Sequence, residues 1–296
     1  MEWVERITRI RRWTRGGERD PNKSLLLLFA LGKMRREGYA PLRFRDVEKP
    51  LSALLTAFGP PKPAHPGVPF HHLAGDGLWE VMTATGAPPP GPDPGALRAH
   101  DTVGRLTPRF AEALLGDRAM FARAVGTLLD LNFEPSLHDD LRSETGLPPG
   151  PAGTPYADPP PGRSPADMML RQKTLVAYEC RCAFCGYEGW IGDSVVGLEA
   201  ARLRWRSFDG VDDLTNALCL CTLHHRLLDR GVLSLTSGGV ILVSRHFVGA
   251  TPTARTQVLA LAGRVVQRPL AGLPAPSPRN TDWHTRQVFR TPAHRL

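Results

Sequence analysis

The sequence has no long apolar run. Its longest, LLLLFALG at 25–32, falls far short of the roughly 20 residues that a membrane span needs. No membrane partner is expected, and this run reads instead as a buried helix. The opening MEWVERITRIRRW mixes acids with bases and has no apolar centre, which does not fit a secretory signal. Cysteine is scarce: five in 296 residues, all between 180 and 221. An odd, clustered set does not suggest a disulfide framework and points to metal in a reducing cytoplasm. Acid is the minority charge, with 29 Asp and Glu against 37 Lys and Arg and a net charge of +8. Most of the bases are Arg, whose planar fork suits phosphate. A polyanion partner is expected, with a merely solvated basic surface as the alternative.

The chain reads as two units. WVERITRIRRW places Trp3, Val4, Ile7, Ile10 and Trp13 at helical spacing, and GGERDPN breaks it. SLLLLFALGKMRREG forms a second helix between Ser24 and Gly38. FRDVEKPLSALLTAFG forms a third, interrupted or started near Pro50. GPPKPAHPGVPFHHLAGDGLWEV is too rich in Pro and Gly for helix and ends in an extended piece at 78–81. Residues 86–95 read as a loop. LTPRFAEALLGDRAMFARAVGTLLDLNF returns to helical periodicity. The Pro/Gly-rich stretch 144–165 is a linker. Beyond it come a helix through LRQKTLVAYE, the cysteine region, and a hairpin about Ser237-Gly238-Gly239. A helix at about 252–266 follows, then a proline-bearing tail expected to wrap the surface.

CAFCG supplies Cys182 and Cys185 as a CxxC knuckle, with Gly186 permitting the tight turn. Cys221 and His224 add CxxH. Together they make a tetrahedral set of soft and borderline ligands, the preference of structural Zn2+. Four protein ligands leave no open position, so this zinc would hold the fold and do no chemistry. Cys180 and Cys219 remain as buried thiols or substitute ligands. His225 follows a zinc ligand and points about 100° away round the helix, which leaves it for a second role or for plain packing.

GLEAARLRW, SFDGVDDLTN and ALCLCTLHHRLLDRG together resemble the HNH, or ββα-metal, nuclease motif. The likeness covers roughly 166–250. In that family a strand ends in a catalytic His, a loop carries an Asn, and a helix brings the last His beside zinc-binding cysteines. The pattern maps onto Arg202, Asn216 and His225 as catalytic positions, His225 holding the catalytic divalent ion: Mg2+, Mn2+ or Co2+. The first position departs from the family. A His there deprotonates the attacking water, and an always-protonated Arg cannot. Arg202 can contact phosphate or stabilise developing charge. Glu199 and Asp213 are nearby carboxylates for a further ligand or a substitute base.

RRWTRGGERDPNKSLLLLFALGKM, PLRFRDVEKPLSALLTAFGPP and VPFHHLAGDGLWEV, over about 3–85, resemble the sulfur-binding domain of phosphorothioation-dependent type IV restriction endonucleases. In those proteins that domain precedes an HNH domain. The resemblance implies double-stranded DNA in which sulfur replaces a non-bridging phosphate oxygen. Sulfur is larger and less hydrated than oxygen, so an apolar cup beside cations favours it. Val68, Pro69, His72 and Ala74 can form the cup, though the family has an aromatic at the Val68 position and an Arg at the His72 position. Arg19, Asn22 and Lys23, just before a helix, can reach the DNA backbone or a base edge. The other reading of VPFHHLAG is a buried turn against Trp79.

The expected fold class is α+β. A mainly helical DNA-sulfur-binding domain spans 1–143, a Pro/Gly-rich linker 144–165, and a zinc-containing ββα-metal (HNH) domain with its tail 166–296. The expected function is that of a cytoplasmic, modification-dependent (type IV) restriction endonuclease, acting as a possible homodimer. A binding-only phosphorothioate reader with a degenerate HNH domain is the alternative.

Overall fold

The computed structural model describes residues 2–10, 18–83, 85–150 and 164–294. They fall into two compact units, 1–150 and 151–296. Trp13 and most of the expected linker lie outside the described residues.

The first unit is built on helices α1 (Glu2–Ile10), α2 (Asn22–Glu37) and α3 (Phe44–Phe58), the last preceded by β1 (Leu42–Arg43). Leu25 through Leu31 are all buried. A helix apolar all round belongs at the centre of its domain, as the LLLLFALG run predicts. Helix α3 runs unbroken through Pro50. The stretch expected to avoid helix contains α4 (Gly67–His72) and a 3-10 turn, Leu73–Asp76. Its prolines explain the difference: Pro66 caps α4 and Pro69 lies in the first turn, where a missing N–H removes no helical hydrogen bond.

Next come β2 (Trp79–Met82), α5 (Pro94–Ala99), β3 (Val103–Leu106), α6 (Pro108–Gly116), α7 (Arg118–Asn132) and α8 (His138–Thr145). Helix α5 begins inside the expected loop, its Asp93 cap accepting from the Ala96 N–H at 2.7 Å. The sheet order is β1-β3-β2, all antiparallel. A side chain at Gly104 of β3 would meet the Trp79 ring at 2.3 Å, so the sheet closes on that indole only because residue 104 is glycine.

The second unit starts with α9 (Pro165–Ala177), whose Ser164 and Asp167 form a reciprocal cap. A small hairpin, β4 (Trp190–Ile191) with β5 (Ser194–Val195), precedes β6 (Leu198–Arg202). β6 pairs antiparallel with β7 (Ala217–Cys221), from Leu198 opposite Cys221 to Arg202 opposite Ala217. Helix α10 (Thr222–Asp229) follows without a break, giving strand, strand, helix in order. The hairpin β8 (Leu233–Leu235) and β9 (Ile241–Val243) forms as expected.

Helix α11 (Pro252–Gln257) is shorter than the expected 252–266. The backbone leaves the helical path at Val258 (φ −127°), a 3-10 turn follows at Leu259–Leu261, and past Gly263 the chain pairs with the hairpin: the Val266 N–H donates to Gly239 O, and the Ile241 N–H to Arg264 O. The tail contains a further helix, α12 (Pro278–Gln287). Trp283 from this helix packs against Trp205 and Phe208, with ring centroids 6.0 and 5.6 Å away. Apolar aromatic surface draws the tail into the core.

Candidate active site and metal centre

The cysteine cluster forms where the spacing places it. Gly186 turns at φ +75°, the Gly186 N–H donates to Cys182 O at 2.8 Å, and the Cys182 N–H to Tyr187 O at 2.9 Å. Cys221 ends β7 and His224 sits in the first turn of α10. One ligand atom from each of Cys182, Cys185, Cys221 and His224 lies within 4.8 Å of the others. His224 Nε2 is 2.8 Å from the Gln257 carbonyl. That bond keeps a hydrogen on Nε2 and turns Nδ1 to the sulfurs, 3.2 Å from Cys221 and 3.5 Å from Cys182. An outer hydrogen bond of this kind orients a metal-binding imidazole. Hydrogen bonds from Cys185 and Cys221 hold the Cys182 thiol far below its ordinary value. Burial opposes charge on His224, yet hydrogen bonds to Cys182 and Cys185 hold it up at about 10. Three sulfurs and a nitrogen at one point fit a soft or borderline metal ion. Cys219 is buried in β7 and Cys180 half-buried, and neither belongs to the cluster.

The β6–β7–α10 unit positions the three HNH-like residues. Asn216 closes the turn before β7 and is fully buried. Its Oδ1 accepts from the Arg204 N–H at 2.8 Å, and its Nδ2 donates to Arg204 O at 2.8 Å and Val211 O at 2.9 Å. It therefore braces the loop between the strands. The tail reinforces that point, since Asn280 Nδ2 and the Ser277 N–H both donate to Thr215 O. Asp213 accepts from the Thr215 N–H at 2.8 Å, capping the same turn.

Arg202 ends β6 in an ion network. Its Nη2 lies 2.5 Å from Asp167 and its Nε 2.8 Å from Asp212. Arg206 bridges the same two carboxylates at 2.8 and 2.6 Å. Burial opposes charge on Asp167, but hydrogen bonds from Arg202 and Ser164 hold its carboxyl far below the usual range.

His225 faces two carboxylates. Its Nδ1 lies 2.5 Å from Glu199 Oε2 and its Nε2 3.2 Å from Asp229 Oδ2. Burial disfavours its charged form, yet Asp229 and then Glu199 raise it to about 10. Asp167, Asp212, Arg206 and Asp229 were not singled out by the sequence. Only Asp229 left a signal there, four residues after His225 on one helix face; Asp212 pairs with Arg202 and Arg206 across an irregular loop, and Asp167 reaches them from a distant helix.

In the first unit α4 has two faces. Phe70 points inward, edge-on to Trp79 at 5.5 Å, and the Trp79 Nε1–H donates to its carbonyl at 3.0 Å. Val68, His72 and Ala74 are exposed, while Pro69 is buried beneath them. The segment thus packs against Trp79 through one face, as the buried-turn reading expects, and leaves Val68, His72 and Ala74 open on the other. Lys23 Nζ meets Asp76 at 2.7 Å, bringing the 19–23 loop beside the end of this segment. Asn22 is half-buried at the start of α2. Arg19 is buried, its Nη2 donating to Phe58 O at 2.8 Å; it anchors the loop, where a contact to the DNA backbone or a base edge was expected.

Comparison with known proteins matches this architecture. Residues 1–149 match the model of the ScoMcrA-like DNA sulfur-binding domain, and residues 182–236 match that of the HNH endonuclease. The chain belongs to the family defined by the ScoMcrA-like DNA sulfur-binding domain, and carries an HNH endonuclease domain behind it. Among solved structures it is similar to the sulfur-binding domain of SprMcrA complexed with phosphorothioated DNA. That likeness has 24% identity and a TM-score of 0.38 and covers 49% of this chain and 94% of that one. It is also similar to the modification-dependent TagI restriction endonuclease, with 22% identity and a TM-score of 0.29 over 42% of this chain and 38% of that one. The curated proteins give no match. Among the described residues no helix is long and apolar enough to cross a membrane.

Proposed function

We propose that this protein is a modification-dependent restriction endonuclease. The first unit reads double-stranded DNA carrying phosphorothioate linkages, and the second cleaves it nearby. The observation that carries this reading is one chain holding a sulfur-binding family match at 1–149 ahead of an HNH match at 182–236. The exposed Val68, His72 and Ala74 supply the apolar contact for sulfur, with Pro69 packed behind them. Lys23 and Asn22 lie beside them for the backbone. Charge agrees with a division of labour: residues 151–296 hold 17 Arg and Lys against 11 Asp and Glu, whereas residues 1–150 hold 20 against 18. The unit that must grip DNA without reading sulfur carries most of the positive excess.

In this reading Zn2+ at Cys182, Cys185, Cys221 and His224 fixes the register of α10 against β7. His225 then holds a divalent ion: Mg2+, Mn2+ or Co2+. Such an ion supplies positive charge to the scissile phosphate and the leaving oxygen. Asn216 holds the loop that frames the site. Two copies of the chain would place one such site on each strand.

A second reading is a phosphorothioate-DNA reader that does not cut. Arg202 favours it: the position of the family's base holds a guanidinium clamped by two carboxylates. A nicking assay decides. Sulfur-modified and plain duplexes are incubated with Mg2+, Mn2+ or Co2+. Nicks confined to the modified duplex support the nuclease. No nick under any ion, with nicks from Arg202→His, supports the binding-only reader.

A further inference from the structure

The His225 ring is held from both sides, and the groups that hold it grade from interior to solvent. Asp229, one helical turn further along α10, has a side chain with no exposure. The His225 side chain is 14% exposed and that of Glu199 29%. A buried carboxylate therefore sits behind the imidazole and a partly solvated one in front. Both supporting elements are fixed. Glu199 lies opposite Leu220 in the β6–β7 ladder, and α10 is tied at its first turn through His224 to the cysteine cluster.

A structural tie needs only one carboxylate. Two, on opposite ring nitrogens, make a different device. A carboxylate behind one ring nitrogen fixes the tautomer and the ring plane and leaves the other nitrogen to coordinate. Here that other nitrogen, Nδ1, hydrogen-bonds the Glu199 oxygen on the solvent side, and it gives up its hydrogen when an ion takes the place between them. A nitrogen and a carboxylate oxygen at one mouth suit hard and borderline divalent cations. The cysteine cluster next door has the opposite preference, so the two sites select different ions.

We propose that Glu199 is a ligand of the divalent-ion centre and that Asp229 is its positioning residue. Asp229 holds His225 through Nε2, so that Nδ1 and the Glu199 carboxylate converge on one ion. This rests on the reading of His225 as the residue that holds the catalytic ion. Asp229→Asn is the sharpest perturbation, because it is nearly isosteric. An amide NH2 turned toward Nε2 places the ring hydrogen on Nδ1, and the coordinating nitrogen becomes a donor.

The test uses the full chain loaded with zinc, titrated with Mn2+ and followed by electron paramagnetic resonance. 15N-histidine NMR in the presence of Mg2+ reports whether His225 Nδ1 carries a hydrogen. Wild type is expected to bind one Mn2+ that His225→Ala abolishes. Glu199→Gln weakens binding at least about tenfold, Glu199→Asp restores part of it, and Asp229→Asn weakens it about 10–100-fold. Asp229→Asn also moves the ring hydrogen to Nδ1, while zinc content and melting temperature stay near wild type. Wild-type Mn2+ affinity in Glu199→Gln and Asp229→Asn, with an unchanged tautomer, overturns the proposal and leaves the His225 reading standing. Absence of Mn2+ binding by wild type overturns both. If Asp229→Asn fails to fold, Glu199→Gln, on the solvent side, decides alone.

Discussion

Replacing Arg202 by Ala separates a brace from a DNA contact. The guanidinium is 9% exposed, and its partners Asp167 and Asp212 are 22% and 27% exposed. Removing one partner of a fully buried pair costs about 3–5 kcal/mol, and of an exposed pair less than about 1 kcal/mol. This network lies between those limits. Arg206 keeps both carboxylates at 2.8 and 2.6 Å, and it is itself 42% exposed. A loss of about 2 kcal/mol follows. Lys at 202 recovers only part, because Nη2 reaches both Asp167 and Asp212 while Nε adds a second bond to Asp212, a fork that an ammonium does not reproduce. The assay is urea unfolding at pH 7.5 of the wild type, Arg202→Ala, Asp167→Asn and the double variant. A coupling energy of about 1 kcal/mol or more between the two positions is expected. Strictly additive losses, or an Arg202→Ala chain as stable as wild type, refute the brace and return Arg202 to the DNA surface.

Metal removal tests the cysteine cluster. Structural zinc supplies about 10–16 kcal/mol of apparent binding energy, comparable to a whole domain's stability, so a strong chelator should unfold the second unit and spare the first; a single unaltered melting profile, or no zinc by elemental analysis, contradicts this. Asn216→Ala leaves two buried backbone groups of Arg204 and the part-buried Val211 carbonyl without a side-chain partner, at about 1–3 kcal/mol for each buried group when unreplaced. Its urea midpoint should fall more than that of Arg202→Ala, and a smaller fall counts against the loop-bracing role. Burial lowers the pKa of His71 and of His138. The unfolded chain takes those protons first, so the first unit is most stable above about pH 6.5 and weakens as pH falls through that value. His138→Gln should flatten the fall in urea midpoint between pH 7.5 and 5.5, and an unchanged slope would show that His138 is not its source.

What the sequence revealed was local. The CxxC and CxxH pairs announce a metal centre because ligand spacing is dictated by coordination within a turn or two. The LLLLFALG helix is legible because seven consecutive apolar positions leave no polar face. Ser237-Gly238-Gly239 marks its hairpin by turn chemistry. The departures have physical causes too. Helix α4 was hidden because proline density outweighed position, and a first-turn proline costs nothing. Helix α12 was announced by Ser277 and Pro278 at its start, a cap and first residue that the surrounding prolines obscured. Contacts between distant segments left no pattern in the chain: Asp167 with Arg202, β1 with β3, Arg19 with the Phe58 carbonyl. So Arg202, standing where the resembled family has its base, is found in an ion network, and Glu199, three residues before it, faces His225.

The measurement that bears most directly on the whole account is equilibrium competition between two duplexes of identical sequence for the full chain, one carrying a phosphorothioate linkage and one not, at two salt concentrations. Tighter binding of the sulfur-bearing duplex is expected, with both affinities falling as salt rises and the ratio between them persisting because the apolar contact is unscreened. Equal affinities at both salt concentrations would contradict it.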